Sequence, residues 1–544
     1  MKEEEQPQDM NEEILQQLRS KATELLLREE WQESIQIYSH FISLCQQHLS
    51  NTQENLTPDQ FTKLQKSLCL AFSNRAEARS RLRDFEEAIV DCDQALKIEN
   101  THSKTLICKG KILLNRNRYS DALGCFKLAL TDVQNNGGCE LVNGYLEICK
   151  KLEFQSRTGV FDLSDWVLNG FRGKIPDLAE YIGSIQINKS EYSGRGLFAT
   201  KNMEAGTLLI VTKAIATGRG ILPDFDEDSS ENARLVMWKD FVDKVVDASG
   251  KCSVTKRLIS TLSSGEDEES LELLNISLFR PGSEGNLLRK DNFEVGAKLM
   301  SILDVNSLTE DAISAKVLGK NSDYYGVGLW ILASFINHSC NPNARRLHVG
   351  DHVLVHTSRD VKAGEEITFA YFDVLSPLKK RRDMCKTWGF HCNCKRCRFE
   401  EVFGCREELK EIELALNFGL DNGNMVFRLE EGMRKWMLKG KEKGYLRASF
   451  WSVYSEAFKS EKVMRKWGRR IPTIEVISES IADAVGGDER VLKMAVEGLR
   501  ENGCAGTMDI EKAMKLGKSV YGKVMKKQAM RALLELCAHD QSHN

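Results

Sequence analysis

The chain has 544 residues, 28% charged and 42% hydrophobic, with a formal net charge of -3. This length predicts two to four soluble globular domains. The near-neutral charge provides no global field for nucleic acid or a membrane. The N-terminus, MKEEEQPQDMNEE, is unlike a secretory or mitochondrial leader, and no apolar run approaches the ~20 residues of a membrane span. The 16 cysteines are therefore expected to be reduced, in a cytoplasmic or nuclear protein.

A 34-residue repeat occupies the first part of the chain. The matching pairs are Phe85 with Tyr119, Ala88 with Ala122, Cys92 with Phe126, and Ala95 with Ala129, each 34 residues apart. An earlier copy places Trp31, Ser34 and Tyr38 in the same phase. This period resembles that of tetratricopeptide repeats, and it predicts about three of them over residues 12–135. The alternative is an amphipathic helical bundle without repeat identity.

The predicted repeats have a candidate binding groove. Some tetratricopeptide modules grip the acidic tails of chaperones with a carboxylate clamp. The corresponding positions here are Arg19, Thr23, Asn74, Lys104 and Cys108. Thr23 and Cys108 lack the charge or amide of such a clamp, so a groove for some other peptide or protein is favoured. A purely structural role is an equal alternative.

The pattern changes after a predicted linker, residues 136–179. Residues 182–211 alternate apolar and polar positions around Ser193-Gly194-Arg195-Gly196, which predicts short strands joined by glycine turns. Residues 217–325 are expected to form an insertion of helical segments and acidic runs. Beyond it, the apolar run GLWILASFI leads into the polar string Asn337–Asn343. Buried polar groups need partners, so this string is expected to hold something specific.

A dense cysteine group follows a basic run. Cys392, Cys394 and Cys397 form C-x-C-x2-C, and tetrahedral zinc needs a fourth ligand. The fourth candidates are the neighbours Cys385, His391 and Cys405 and the distant Cys340. Residues 375–400 contain eight Lys or Arg and two acids, which would stabilise thiolates. Three free cysteines in a loop is the alternative. The run Lys379–Arg382 is interpreted either as a nuclear signal or as an exposed helix start.

These pieces together resemble the SET-domain protein lysine methyltransferases. The matching motifs, in the family's order, are Ser193–Leu197, Asn337–Asn343, Gly364–Tyr371, and Phe390 with the C-x-C-x2-C group. The SET-and-MYND branch is similar, but residues 217–325 hold one cysteine, too few for a MYND finger. The resemblance is thus to tetratricopeptide-SET proteins.

The resemblance implies an α+β multidomain fold. Its expected parts are the N-terminal helical repeats, a mostly-β SET domain at 180–374 with the helical insertion, a zinc-binding post-SET segment at 375–400, and a helical region at 401–544 that closes the substrate cleft. A knot-like crossing is expected where the Asn337 segment passes the strand that ends in Tyr371.

The resemblance also implies a function and a site. The expected reaction is S-adenosylmethionine-dependent methylation of a lysine ε-amine in a histone or another protein. Tyr371 would be catalytic. The donor would contact Arg195, Gly196, Asn337, His338, Tyr371 and Phe390. Zinc would be held by Cys340, Cys392, Cys394 and Cys397, with Cys385 and Cys405 as reserves. Tyr324, Tyr325 and Phe372 are candidate walls of the lysine channel.

Two alternatives belong to other classes of protein. One is a scaffold whose SET domain no longer catalyses, and the other is a chaperone-tail adaptor. Every motif position that can be tested is filled, including Tyr371, which favours the enzyme. Expected partners are a protein substrate and a peptide or protein on the repeat groove, without direct nucleic-acid or membrane binding.

Overall fold

The computed structural model describes residues 7–51, 57–133, 139–169, 174–191, 194–222, 227–265, 271–280, 298–310, 324–404, 406–417, 421–501 and 507–539. The chain divides into two compact units. The first consists mainly of residues 1–157, with 247–256 assigned to it, and the second mainly of residues 158–544. No helix within the described ranges is both long enough and apolar enough to cross a membrane.

The first unit is a stack of antiparallel helices. They are α1 (Pro7–Leu27), α2 (Trp31–Asn51), α3 (Pro58–Arg81), α4 (Phe85–Ile98), α5 (Ser103–Asn115), α6 (Tyr119–Val133) and α7 (Cys139–Thr158). The turns before α2, α4 and α6 each contain a residue with positive φ: Glu29 (62°), Arg83 (63°) and Asn117 (60°). The same turn thus recurs, and Arg83 and Asn117 are 34 residues apart, as the repeat predicts.

Close helix crossings explain the small residues of the repeat. A side chain on Gly110 would place its Cβ 2.7 Å from the Phe126 ring, so this ring packs directly on the α5 backbone. The Phe126 ring also stacks on Tyr145 of α7, with ring centroids 5.0 Å apart.

The predicted linker, residues 136–179, is therefore corrected. It contains α7 and the short α8 (Ser164–Leu168). Val142, Leu146 and Cys149 of α7 are buried at helical spacing in one core with Phe126. This spacing was present in the sequence, and burial against α6 makes the segment a helix.

The second unit contains three small sheets. The strands are β1 (Tyr181–Ile182), β2 (Ile185–Lys189), β3 (Arg195–Ala199), β4 (Leu208–Lys213), β5 (Thr217–Ile221), β6 (Leu308–Thr309), β7 (Tyr324–Gly328), β8 (Asn337–His338), β9 (Ala344–Val349), β10 (His352–Thr357) and β11 (Glu366–Phe369). Their orders are β1-β4-β10-β9, β2-β3-β11-β8 and β5-β7-β6. The β8–β11 pair is parallel, and the other pairs in the described strands are antiparallel.

The predicted insertion begins and ends in paired strands. β5 pairs with β7 from Thr217 opposite Gly328 to Ile221 opposite Tyr324, which brings the two ends of the insertion together. Between them lie α9 (Glu227–Lys251), α10 (Ser253–Ser260) and α11 (Leu299–Asn306). The apolar run that follows β7 lies in the core, where Trp330 is fully buried and donates from Nε1 to Asp351 O at 2.9 Å.

The remainder of the chain is helical. The helices are α12 (Leu378–Thr387), α13 (Lys395–Phe403), α14 (Glu407–Asn417), α15 (Asn422–Lys435), α16 (Lys441–Ser449), α17 (Trp451–Lys459), α18 (Glu461–Trp467), α19 (Ile474–Val485), α20 (Glu489–Glu501), α21 (Thr507–Tyr521) and α22 (Lys527–His539). Helices α15, α16 and α17 share a buried ion pair. Arg447 of α16 donates to Glu430 of α15 at 2.8 and 2.9 Å, and Tyr454 of α17 donates to the same carboxylate at 2.6 Å.

Asn343 joins β11 to the segment that follows β8. Its side chain is almost fully buried, and its Nδ2 donates to Glu366 O at 2.8 Å. Its Oδ1 accepts from Thr368 N–H at 2.8 Å, and its own N–H donates to Thr368 O at 3.2 Å. The Asn337 segment and β11 therefore pass one another, and one amide side chain satisfies the backbone where they cross.

We predict that Asn343→Ala destabilises the protein by roughly 1–3 kcal/mol or more, because it leaves buried backbone groups without partners. The measurement is the urea unfolding midpoint. Asn188→Ala is the control, since Asn188 is exposed and bonds only a neighbouring N–H, and its effect should stay within about 0.5 kcal/mol. Equal midpoints for the two variants would contradict this role of Asn343.

Candidate active site

The site is built around the parallel pairing of β8 with β11. Asn337 lies opposite Thr368, and His338 lies opposite Phe369. Tyr371 follows β11 by two residues, so the pairing brings the two predicted motifs together. Ser339 N–H continues the contact by donating to Phe369 O at 3.1 Å.

Asn337 lies beside the two predicted residues of β3. Its Nδ2 donates to Arg195 O at 3.2 Å and to Glu366 Oε1 at 2.8 Å. A Cβ on Gly196 would collide with the Glu366 carboxylate and would lie 3.1 Å from Asn337 Nδ2. Gly196 is thus required to make room for Glu366, a residue to which the sequence interpretation assigned no role.

Glu366 is a partly buried carboxyl group. Burial raises its pKa, although hydrogen bonds from Asn337 and Ser190 oppose the shift. Ser190 donates to Glu366 Oε2 at 3.0 Å. Glu366 therefore orients Asn337 and links β11 to the end of β2.

The Arg195 side chain contacts the insertion. Its guanidinium donates to Thr261 O at 2.9 Å and to Glu272 O at 3.3 Å, and it lies 5.2 Å from the centre of the Phe335 ring. The side chain is buried. Any contact of Arg195 with a ligand would therefore come from its backbone.

His338 links Tyr371 to a cysteine. Its Nδ1 accepts from Tyr371 N–H at 3.0 Å, so the neutral ring carries its proton on Nε2. That nitrogen lies 3.3 Å from Cys340 Sγ. Both ring nitrogens have protein partners, which leaves the backbone of His338 for the predicted contact with the methyl donor.

Aromatic rings surround Tyr371. Its hydroxyl donates to Ile336 O at 2.9 Å. Its ring centroid lies 5.3 Å from both His338 and Trp388 and 6.1 Å from Phe390. Phe372 stacks on His338 at 4.4 Å. The rings of this half-buried group form an apolar wall. The Tyr371 hydroxyl is held beside this wall, at one end of β8.

The residues that line the aromatic group differ in part from the candidate walls of the lysine channel. Sequence reasoning missed Trp388, although it lies only two residues before Phe390 in the same WGFHC string. Tyr325 lies on β7, with the Arg234 guanidinium 5.7 Å from its ring centre. The side chain of Tyr324 is outside the part that the structure describes.

The four predicted metal ligands come together. The sulfur atoms of Cys392, Cys394 and Cys397 all lie within 4.8 Å of one another, and Cys340 Sγ lies within that distance of Cys392 Sγ. The reserve residue Cys385 also hydrogen-bonds to Cys340.

The other two proposed candidates for the fourth ligand are His391 and Cys405. His391 is exposed, and Cys405 falls outside the described residues. The cysteine group is thus Cys340, Cys385, Cys392, Cys394 and Cys397.

Two sulfurs in the cysteine group, those of Cys340 and Cys394, are favoured as thiolates. Hydrogen bonds with Cys385, Cys392, Cys394 and Cys397 lower the pKa of the Cys340 thiol. Thiolates are the form of cysteine that binds metal. A compact set of soft donors that includes anionic sulfur fits tetrahedral zinc.

Two buried arginines adjoin the cysteine group, and both bond Glu400. Arg381 donates to Cys397 Sγ at 3.2 Å and to Glu400 Oε2 at 2.5 Å. Arg396 donates to Cys340 O at 3.1 Å and to Glu400 Oε1 at 2.7 Å. The arginines are fully buried and Glu400 nearly so. This Arg381–Glu400–Arg396 triad holds the cysteine-bearing segments together.

The interpretation of Lys379–Arg382 as an exposed helix start was wrong for Arg381. Lys379 and Lys380 are exposed on α12, but Arg381 is fully buried, and Arg382 donates to Cys392 O at 2.7 Å. Arg381 is buried and the two lysines are exposed because Arg381 lies on the inner face of α12.

The C-terminal helices contact the site at three points. Asn341 Nδ2 donates to the Tyr445 hydroxyl of α16 at 3.3 Å. Arg396 donates to Ser449 Oγ at the end of the same helix at 2.8 Å. Arg490 of α20 pairs with Asp373 at 2.7 and 3.0 Å, two residues beyond Tyr371.

The candidate groove of the repeats also has a defined polar row. Lys104 Nζ donates to Asn74 Oδ1 at 2.6 Å, and Asn74 Nδ2 donates to the Tyr38 hydroxyl at 2.8 Å. Thr23 Oγ1 lies 3.1 Å from that hydroxyl. Cys108 is buried and faces Cys92.

A family model and several curated relatives match the part of the chain that contains this site. The SET domain family model matches residues 194–372. A methyltransferase of Gibberella zeae is 24% identical over 451 residues, covering 78% of this chain and 58% of that protein. Histone-lysine N-methyltransferase SET5 of Yarrowia lipolytica is 28% identical, covering 35% of this chain and 42% of that protein.

A human relative matches over a shorter stretch. Histone-lysine N-methyltransferase SMYD3 of Homo sapiens is 35% identical over 97 residues, which cover 17% of this chain and 23% of that protein. The chain thus spans 58% or less of the length of these three relatives. Residues 194–372 thus match the SET domain, and this matched region follows the N-terminal helical repeats.

Proposed function

We propose that the chain is a protein lysine methyltransferase that uses S-adenosylmethionine. The observation that carries this proposal is the position of Tyr371, whose hydroxyl bonds Ile336 O next to Asn337 while its ring lies among His338, Trp388 and Phe390. Similarity to lysine methyltransferases supports the same conclusion.

One set of residues would bind the methyl donor. S-adenosylmethionine supplies an already activated methyl group. The protein must therefore bind this donor, orient it towards the substrate amine and exclude water from the site. Backbone of Arg195, Gly196 and His338, the Asn337 amide and the Phe390 ring would hold it. Glu366 would keep the Asn337 amide in place, because it accepts one of its hydrogen bonds.

The substrate amine needs a different environment. A lysine with its ordinary pKa of ~10.4 is cationic and cannot attack a methyl group. Apolar rings around Tyr371 would favour the neutral amine by desolvation. The Tyr371 hydroxyl donates its proton to Ile336 O and so keeps its lone pairs for the amine.

Zinc would be a structural part of this proposal. Cys340, Cys392, Cys394 and Cys397 would hold it, with Cys385 as the reserve ligand. The bound ion would join the segment that follows His338 to the segment that carries Trp388 and Phe390. The triad would support it, since Arg381 bonds one ligand sulfur and Arg396 bonds a ligand's carbonyl.

The helical repeats are proposed to bind a peptide or protein partner. The polar row of Lys104, Asn74 and Tyr38 offers amide and ammonium groups to such a partner. Thr23 and the buried Cys108 do not supply the groups of a chaperone-tail clamp, so another peptide is favoured.

Tyr371→Phe is expected to lower methyl transfer on the order of 100-fold, because it removes one orienting group and leaves the aromatic wall intact. The measurement is protein labelling in cell extract with labelled S-adenosylmethionine, beside donor binding by calorimetry. Tyr181→Phe, on β1 and outside the site, is the control and should label normally. No labelled band above the Tyr371→Phe background, with donor binding intact, would favour the inactive scaffold.

Arg381→Met is expected to speed zinc release to a chelator about 10-fold or more, because a ligand sulfur loses its donor. Arg447→Met is the matched control, since it breaks another buried Arg–Glu pair and also costs stability, about 3–5 kcal/mol. Its zinc release should be unchanged. Equal release from both variants would show that the Arg381 effect is only loss of stability.

Cys340→Ser is expected to lower the zinc content measured by metal analysis, since Cys340 is a predicted ligand. A zinc content equal to that of the wild type would assign the fourth position to Cys385, His391 or Cys405. A wild-type protein purified without zinc, and unable to take it up, would contradict the zinc site itself.

A further inference from the structure

A second group of metal-binding side chains lies in the helical repeats, within the first unit. Cys69 is on α3, Glu99 ends α4, and His102 precedes α5. One ligand atom from each lies within 4.8 Å of the other two. We propose that Cys69, Glu99 and His102, the repeat cluster, bind a divalent transition-metal ion, with Zn²⁺ the best match. This proposal does not depend on the proposed methyltransferase activity.

The donor types select the class of ion. Thiolate, imidazole and carboxylate are all zinc ligands, whereas Ca²⁺ and Mg²⁺ prefer oxygen alone. Zinc bonds of about 2.0–2.3 Å place tetrahedral ligand atoms roughly 3.3–3.8 Å apart. Cys69 Sγ and Glu99 Oε2 are 4.0 Å apart, so a small side-chain movement brings them to that spacing. Three protein ligands leave the fourth position to water.

A neighbouring hydroxyl prepares His102 for this role. Its Nδ1 lies 2.7 Å from Oγ1 of Thr105, a fully buried residue. When that hydroxyl accepts from Nδ1–H, the lone pair of Nε2 is available to a cation. Metal-binding histidines commonly have their second ring nitrogen held in this way.

The electrostatics of the repeat cluster favour a cation. Burial, and then the charge of Glu99, raise the pKa of Cys69 to about 11. The thiol therefore keeps its proton when no cation is present. A dication would stabilise the thiolate and neutralise Glu99 at once, and the displaced proton would pass to solvent. Binding should thus strengthen as the pH rises.

Binding would leave no buried backbone group without a partner. The Cys69 thiol contacts Ala95 O at 3.5 Å, and this contact would be lost on deprotonation. The same carbonyl accepts from Glu99 N–H at 3.0 Å, so it remains satisfied. Glu99 is exposed, which gives an ion a path from solvent.

The repeat cluster would join helices that also form the groove. Asn74 lies on α3 with Cys69, and Lys104 lies on α5 two residues beyond His102. Lys104 and Asn74 are already bonded at 2.6 Å. A bound ion would add a second link between these helices and would stiffen the groove face.

The test compares zinc content and thermal stability in full-length protein equilibrated with buffered Zn²⁺. Wild-type protein should bind about one equivalent more than His102→Ala or Cys69→Ala. Zn²⁺ should raise the melting temperature of wild type more than that of either variant. With Co²⁺ as the probe, Cys69→Ala should show less thiolate-to-metal absorbance than wild type at the same Co²⁺ concentration. The difference between proteins does not depend on whether the cysteine group near Tyr371 holds zinc.

Matched controls separate binding from packing. Cys45→Ala removes another buried thiol from the same core as Cys69, and His40→Ala removes an exposed histidine from α2. Both should keep the wild-type zinc content. Equal zinc content and equal thermal shifts in wild type, Cys69→Ala and His102→Ala would overturn the proposal. If Cys69→Ala fails to fold, His102→Ala decides the result alone, because His102 is only partly buried.

Discussion

The parallel pairing of residues 337–338 with residues 368–369 is the contact on which the candidate active site depends. It places Asn337 against Glu366, and it places His338 between the Tyr371 backbone and Cys340. A slip of one residue would exchange these two side chains between the faces of the sheet. The Asn343 side chain secures the register, because it bonds the β11 backbone at both Glu366 O and Thr368 N–H.

Charge burial is the second constraint on the site. The triad of Arg381, Glu400 and Arg396 carries a net charge of +1 if all three are ionised, and it adjoins a cysteine group in which two thiolates are favoured. Buried ions are costly unless each has a close partner. Each arginine here bonds both Glu400 and backbone carbonyls, so the same groups that satisfy the charges also position the cysteines.

The two cysteine-containing groups differ in their electrostatics. Neighbouring thiols lower the pKa of Cys340, whereas burial and Glu99 raise that of Cys69. Both groups must still release protons to bind a cation, because hydrogen bonds with Cys340 and burial raise the pKa of Cys385, Cys392 and Cys397. Metal uptake at either group should therefore strengthen as the pH rises.

The sequence alone determined the class of most segments, because hydrophobic period and motif order are local; the exception is residues 136–179, predicted as a linker but largely helical. The 34-residue repeat, the strands around Arg195 and the helical C-terminal region were predictable in this way. The sequence also grouped three of the proposed zinc ligands, Cys392, Cys394 and Cys397. The fourth, Cys340, was added to them only by family resemblance. Short-range patterns of this kind do not depend on how distant segments meet.

Only the tertiary structure decided which side chains meet across long separations. Glu366 had no assigned role in the sequence interpretation, yet it bonds Asn337 because β11 lies between β3 and β8. Arg381 looked like surface charge, yet α12 turns it inward to Cys397 and Glu400. Cys69, Glu99 and His102 form no motif in the sequence and come together through helix stacking. These partners are set by packing between elements, which no single stretch of sequence encodes.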